Sequence, residues 1–143
     1  MVKRGVWAAI AAAGLIIPLI GASQEFGEYL GLDTCADCHA DVAESYGATP
    51  HANSLEVLEA AGSASDPECL ACHTTGLEDS KYVDGAVTCE ACHGPGSGHV
   101  VAGEIEAIKS EIGEADCLKC HTAEWSPDFD YETYRAKGVH GGG

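Results

Sequence analysis

The chain has 143 residues, with 23 acidic against 7 basic side chains and a formal net charge of −16. This balance excludes nucleic acid as a partner, because phosphate backbones are bound by clustered lysine and arginine. The length suits one small domain, and aromatic residues make up only 6% of it, so the polypeptide alone buries little apolar surface.

The first 23 residues have the order of parts of a secretory signal peptide. A short basic head precedes an apolar run of 17 residues from Val6 to Ala22, and small residues precede a predicted cleavage after Ser23. An uncleaved membrane anchor is the alternative, although the run is short for a bilayer span and Pro18 interrupts it. We therefore predict a signal peptide at residues 1–23, a domain at residues 24–143, and a periplasmic or extracellular location.

The remaining chain is predicted to be mostly α-helical, with little regular secondary structure. Apolar residues recur at helical spacing in several short stretches, and glycine or proline interrupts each of them. Turn residues separate the stretches, which indicates short helices joined by loops. The predicted helices are residues 41–46, 54–61, 100–112 and 128–137, with a brief strand at residues 81–83.

Four copies of one pentapeptide organise this domain. Each copy has two cysteines separated by two residues and followed directly by histidine, and together the copies use all 8 cysteines. This pattern attaches c-type haem, because the thiols form thioethers with the haem vinyl groups and the histidine ligates the iron from one face. We predict four haem c groups and a small multihaem cytochrome c fold around them. The attachment cysteines are Cys35 and Cys38, Cys69 and Cys72, Cys89 and Cys92, and Cys117 and Cys120, and the proximal histidines are His39, His73, His93 and His121.

Other uses of paired cysteines are a zinc half-site, a redox dithiol and a disulfide framework. None of these requires histidine after each pair, whereas haem attachment does. The haem interpretation is therefore the favoured one, and electron transfer is the function that it indicates.

The sixth iron ligand of each haem is normally histidine or methionine. The only methionine, Met1, lies in the predicted signal peptide, so we expect distal ligation by the three remaining histidines, His51, His99 and His140. Seven histidines cannot form four pairs. One haem is therefore expected to be five-coordinate or to take lysine, tyrosine, water or another group.

Chain length restricts which distal histidine reaches which haem. His99 follows His93 by six residues, and an extended link of that length spans about 20 Å, barely enough to pass round the edge of the macrocycle. We therefore expect His99 to serve a different haem. His140 follows His121 by 19 residues and has room to serve that haem.

The stretches CADCH…ATPHA, CLACHTTG, CEACHGPGSGHV and CLKCHTAEWSPDFDYETYRAKGVH resemble successive motifs of the cytochrome c-554 family. These are tetrahaem electron carriers associated with hydroxylamine oxidation. The resemblance implies that His99 caps the first haem, His51 the third and His140 the fourth, which leaves the second haem, on His73, open. This chain is much shorter and strongly acidic, so the family's particular partner is not implied.

We predict an electron carrier rather than an enzyme. Loss of the signal peptide would leave 5 basic and 23 acidic residues, a formal charge of −18, which favours redox partners with basic docking patches. The alternatives are redox chemistry at the open haem with a molecule such as nitric oxide or hydroxylamine, and a subunit of an extracellular cytochrome filament. Membrane association is expected only if the N-terminal segment is retained. Acidic residues beside the motifs, predicted to lower the reduction potentials, are Asp37, Glu68, Glu90 and Glu114.

Overall fold

Short helices follow one another along the part of the chain that this computed structural model describes, residues 27–138 and His140. Two 3₁₀ turns, Pro50–Asn53 and Ile105–Ala107, lie between them. The mostly helical fold with little regular structure is thus as predicted. The α-helices are α1 (Leu32–Ala36), α2 (Ala40–Gly47), α3 (Ser54–Ala61), α4 (Pro67–His73), α5 (Cys89–His93), α6 (Ser97–Ala102), α7 (Glu114–Cys117) and α8 (Tyr131–Gly138).

Three of the four predicted helices are confirmed in whole or in part. Helix α2 contains the predicted turns at residues 41–46, and α3 has the predicted bounds and ends at Gly62 in the left-handed conformation. Helix α8 begins three residues later than predicted. The Asp130 carboxylate accepts a hydrogen bond from the Thr133 backbone N–H at 2.9 Å, which caps the helix at that point.

The long helix predicted at residues 100–112 is wrong. Helix α6 already ends at Ala102, because Gly103 takes the left-handed conformation with φ of 69°. Farther on, the backbone N–H of Lys109 donates to the carbonyl of His93 at 3.3 Å, so this segment pairs with the third motif instead of with itself. Ile105, which lies at helical spacing from Ile108 and Ile112 in the sequence, is 60% exposed.

The predicted strand at residues 81–83 is also wrong within the described residues. Two isolated antiparallel bridges replace it, one joining Thr75 to Asp84 and one joining Glu78 to Lys81. Asp79 and Ser80, with φ of 47° and 63°, close the turn between them. Two adjacent residues of positive φ are typical of a tight hairpin turn, and the bridged pairs on either side are too few to form strands.

The apolar core is small. Among the described residues the buried hydrophobic side chains are Tyr46, Leu58 and Leu70, and the most deeply buried side chains are the polar Glu90 and Thr75. A core of this size stabilises little on its own. The fold therefore depends heavily on buried hydrogen bonds.

One buried network joins the loop before α5 to helix α1. The Asp84 carboxylate accepts hydrogen bonds from the Leu32 backbone N–H at 2.9 Å and from the Thr88 hydroxyl at 2.8 Å. The Thr75 hydroxyl donates to the Ala86 carbonyl at 2.7 Å and accepts from the Thr88 N–H at 2.8 Å. This network fixes the third attachment motif beside the first.

The predicted signal peptide lies outside the described residues. Over residues 27–138 no helix is long and apolar enough to cross a bilayer.

Replacing Gly76 by alanine tests how tightly the hairpin turn packs. Gly76 has φ of 68°, and a Cβ there would lie 2.9 Å from Val83 Cγ2 and 3.1 Å from Tyr29 Cγ. We expect Gly76→Ala to lower the free energy of unfolding by about 2 kcal/mol, measured by thermal unfolding of the haem-loaded protein. The control is Gly47→Ala, whose Cβ meets nothing within 4 Å. Equal stability of the two variants would contradict this packing.

Candidate haem-binding site

Each pentapeptide folds as one turn of helix. The second and third motifs lie within α4 and α5, and the first and fourth begin in the last residues of α1 and α7 and continue past their ends. In the first and fourth, the histidine N–H donates to the carbonyl of the first cysteine, from His39 to Cys35 and from His121 to Cys117, at 2.9 Å each. A helical turn places residues i, i+3 and i+4 on one side. Both thiols and the imidazole of a motif can therefore bind the same group.

Three pairs of imidazoles face each other across the molecule. The ring of His99, on α6, is opposite that of His39, with centroids 6.3 Å apart and planes inclined by 18°. Each pair combines one motif histidine with one of the three histidines outside the motifs. The other two pairs are His93 with His140, at 6.1 Å and 23°, and His51 with His121, at 6.1 Å and 59°.

These separations match the width of one shared metal ion. Imidazole nitrogen binds a metal at about 2 Å and lies about 1 Å from its ring centre, so a shared iron separates two ring centres by about 6 Å. A direct ring stack would be closer, as the centroid distance of 4.6 Å between His121 and Phe129 shows. The three gaps therefore fit an axially ligated iron.

The pairing corrects part of what the resemblance implied. His99 faces the first motif as implied, but His51 faces His121 of the fourth motif and His140 faces His93 of the third. The assignments of His51 to the third motif and of His140 to the fourth are thus wrong. Chain length limits how far His140 can reach but not in which direction. Phe129 stacks on His121, so the segment after the fourth motif first packs on the histidine of that motif. It then continues to the third motif, where His140 faces His93.

The histidine of the second motif has no imidazole opposite it. All seven histidines of the chain are among the described residues, and none of the other six faces the ring of His73. The ligand count made from the sequence predicted one such position.

Backbone carbonyls orient three of the imidazoles. A carbonyl oxygen only accepts hydrogen bonds, so the Nδ1 atom that contacts it must carry the proton. This tautomer leaves the Nε2 lone pair available to a metal, as the ligating histidines of metalloproteins commonly do. The contacts join His73 Nδ1 to the Ser54 carbonyl at 2.7 Å, His93 Nδ1 to the Lys109 carbonyl at 2.6 Å, and His99 Nδ1 to the Glu104 carbonyl at 2.9 Å.

His121 is held differently. Its Nδ1 lies 3.1 Å from the Ser126 hydroxyl, and Phe129 stacks on its ring. Burial, and secondarily the nearby His51, lower the pKa of His121, which favours the neutral imidazole that metal ligation needs.

The alternatives to haem fit the residues poorly. Among the described residues no group of three or more histidine, cysteine, aspartate or glutamate side chains could hold a metal, as a zinc site would require. All eight cysteines are free, so they form no disulfide framework. A reactive dithiol has a lowered thiol pKa, whereas burial raises the pKa of Cys35 and of Cys120 to about 12.

Buried polar atoms without partners also point to a bound group. Within the described residues, the Tyr46 hydroxyl, the Thr49 hydroxyl and His140 Nδ1 are buried and make no hydrogen bond. Such atoms are rare in a complete protein interior. Together with the small core and the imidazole gaps, they show that the residues fit haem c.

The motifs lie next to each other in an order that differs from the chain order. The Cys35 thiol contacts the Cys89 thiol, joining the first motif to the third, and Cys72 contacts Cys120, joining the second to the fourth. Cys92 of the third motif interacts electrostatically with Cys117 of the fourth. The spatial order is therefore first, third, fourth, second.

An ion-pair cluster ties the third motif to the fourth. The Asp116 carboxylate, beside Cys117, bonds to Lys109 at 2.5 Å and to Lys119 at 3.0 Å. These two bonds, Lys109 first, hold the pKa of Asp116 well below its usual range. Because the Lys109 carbonyl also holds His93, the cluster fixes that imidazole relative to the fourth motif.

Some contributors to the site were missed from the sequence. Backbone carbonyls are present in every residue, so the sequence gives no sign that those of Ser54, Glu104 and Lys109 contact the imidazoles. Thr74 and Thr75, side chains that could line an open haem, are instead buried and bonded to the carbonyls of Leu70 and Ala86. Their role is structural.

Comparison with known proteins agrees with this site. The family model described as "Cytochrome c554 and c-prime" matches residues 34–94. Cytochrome c-554 of Nitrosomonas europaea (strain ATCC 19718) is 30% identical over 46% of this chain and 38% of its own length. The chain thus matches well under half of that curated relative. The solved structure of reduced cytochrome c554 from Nitrosomonas europaea shares the fold, with a TM-score of 0.62 at 21% identity over 80% of this chain and 86% of that one.

Residues 34–94 of the chain are thus similar to the cytochrome c554 and c-prime family. This similarity implies haem c as the group held by the motifs. The family match ends just after the third motif, whereas the shared fold extends over most of the chain.

Removing His51 tests the exchanged pairing. If His51 faces His121, His51→Ala should strongly shift the proton resonances of Phe129, which stacks on His121, and His140→Ala should leave them nearly unchanged. Paramagnetic NMR of the two haem-loaded variants measures this. The reverse pattern would restore the pairing that the resemblance implied.

Proposed function

We propose that this protein carries electrons between redox partners outside the cytoplasm, on four haem c groups. The observation that supports it best is the set of three imidazole pairs, 6.1 to 6.3 Å apart, each with one histidine of an attachment motif. Paired imidazoles leave no iron position open to substrate at those three sites. Such sites are suited to passing electrons rather than to binding small molecules.

The residues divide into tethers and ligands. The eight cysteines hold the four groups covalently, and His39, His73, His93 and His121 are the proximal ligands. His99, His140 and His51 are the distal ligands of the first, third and fourth sites. Haem supplies a one-electron iron couple, and the protein sets its potential through ligands, burial and nearby charge.

The spatial order of the motifs supports a linear route. Contacts between thiols of different motifs mean that neighbouring groups are held close together. The proposed route runs from the first site to the third, the fourth and the second, or the reverse. The two ends, at His39 and His73, are then the places where partners give or take electrons.

Export is part of the proposal. The order of a basic head, an apolar run and small residues supports a signal peptide, and thioether attachment of haem takes place after export. Periplasmic or extracellular partners follow from that location.

A second candidate function is redox chemistry with a small molecule at the second site. The observation that favours it is the absence, among the described residues, of an imidazole opposite His73. An open axial position permits binding of a molecule such as nitric oxide or hydroxylamine, but binding alone is not turnover.

Electron paramagnetic resonance of the oxidised protein tests the ligand assignment. We expect three low-spin sites and one high-spin site. Two low-spin signals should have the form typical of nearly parallel imidazoles, for the pairs inclined by 18° and 23°, and one that of crossed imidazoles, for the pair at 59°. Four low-spin sites would contradict the ligand assignment, and fewer than four haems would contradict the proposal itself.

Carbon monoxide binding tests whether the second site has an open axial position, as both candidate functions assume. The reduced protein should bind about one equivalent per chain, at the site of His73. Steady turnover of hydroxylamine or nitric oxide would favour the second candidate, and binding without turnover the first. No spectral shift at all would mean that His73 has a sixth ligand from elsewhere.

Salt dependence tests the proposed docking. With a formal charge of −18 after signal-peptide removal, electron transfer to a basic cytochrome should slow several-fold as salt rises to about 0.5 M, because attraction between exposed charges is screened. An acidic cytochrome of similar potential is the control and should react faster at high salt. If the two cytochromes respond equally to salt, the proposed docking to basic partners is contradicted.

A further inference from the structure

Glu90 is a buried carboxylate inside the third attachment motif. It is 1% exposed, and no lysine or arginine pairs with it among the described residues. Burying an unpaired charge is costly unless hydrogen bonds replace its lost water. The position between Cys89 and Cys92 needs no charge for haem attachment, so the carboxylate has another role.

Three backbone N–H groups satisfy this carboxylate. One oxygen, Oε1, accepts from Gly96 at 2.7 Å and from Leu30 at 3.0 Å. The other, Oε2, accepts from Gly31 at 2.8 Å and from Leu30 at 2.9 Å. Glycine suits both ends of this arrangement, since Gly31 has φ of 87° and a Cβ on Gly96 would lie 3.2 Å from Oε1.

The two segments that Glu90 holds lead to the two histidines of the first pair. Gly31 directly precedes α1, which carries Cys35 and leads into His39. Gly96 directly precedes α6, which carries His99. Mutual hydrogen bonds between Glu28 and Ser97 strap the same two segments together beside it.

We propose that Glu90 is the positioning residue of the first axial pair, acting from within the third motif. It sets the separation of His39 and His99 and holds the first site against the third, where the Cys35 and Cys89 thiols touch. This inference rests on the proposed function, because it presupposes haem at both motifs. Its negative charge also favours ferric iron at these two sites and lowers their potentials.

Two substitutions distinguish the effect of the length of the Glu90 side chain from the effect of its charge. Glu90→Gln keeps the side-chain length but loses the charge and turns one acceptor into an N–H₂ group facing N–H donors. Glu90→Asp keeps the charge but is one methylene too short to hold both segments. Asp37→Asn is the matched control, because it removes an exposed charge from inside the first motif itself.

The test measures carbon monoxide uptake, low-spin signals and midpoint potentials of the four-haem protein. In Glu90→Gln and Glu90→Asp we expect His99 to leave part of the first-site population, so uptake should rise from about one toward roughly two equivalents per chain. The low-spin signal of the nearly parallel pair at the first site should fall accordingly. Midpoint potentials should rise further in Glu90→Gln than in Glu90→Asp, and Asp37→Asn should keep the wild-type uptake.

A variant that fails to load haem is replaced by Gly96→Ala, whose Cβ presses on the carboxylate without removing it. It should show the same changes more weakly. Four-haem Glu90→Gln with unchanged uptake and signals, or unchanged Gly96→Ala in its place, overturns the inference while leaving the proposed function intact. A wild-type protein without haem would overturn the proposed function instead.

Discussion

The structure depends on pairs of imidazoles held at the spacing of two ligands of one metal ion. Three pairs have that spacing, and in each of them a motif histidine faces one from a different part of the chain. Because the buried apolar side chains of the described residues are so few, these pairs, and the groups proposed between them, connect segments that apolar packing alone would not hold together. Cofactor binding and folding are then largely the same event, as in small metal-dependent domains.

Buried hydrogen bonds prepare the polypeptide for this event. Asp84 and Glu90 accept backbone N–H groups from residues before or at the start of α1, so the first and third motifs are set side by side. Backbone carbonyls fix the tautomer of His73, His93 and His99. Charge and hydrogen bonding thus provide what a hydrophobic core provides in a larger domain, which accounts for burial of a carboxylate that has no counter-ion in the described part of the chain.

Local patterns could be predicted from the sequence, and long-range relations only in part. The pentapeptides, helix α3 and the shortage of histidines are properties of adjacent residues or simple counts, and so were accessible. The helix expected at residues 100–112 was wrong because contacts of Lys109 with His93, distant in sequence, override its local periodicity. The exchange of His51 and His140 could not be deduced from spacing, since both histidines have enough chain to reach either motif. Glu90 was noted only for its charge, and its backbone partners carry no signal in residue type.

The central claim concerns where iron lies in relation to the histidines. Anomalous X-ray diffraction at the iron edge, from crystals of the haem-loaded protein, measures this directly. The account predicts four iron positions, three of them midway between the paired rings and the fourth beside His73 alone, in the spatial order first, third, fourth, second. Fewer than four irons, or irons displaced from the midpoints of these pairs, would contradict it.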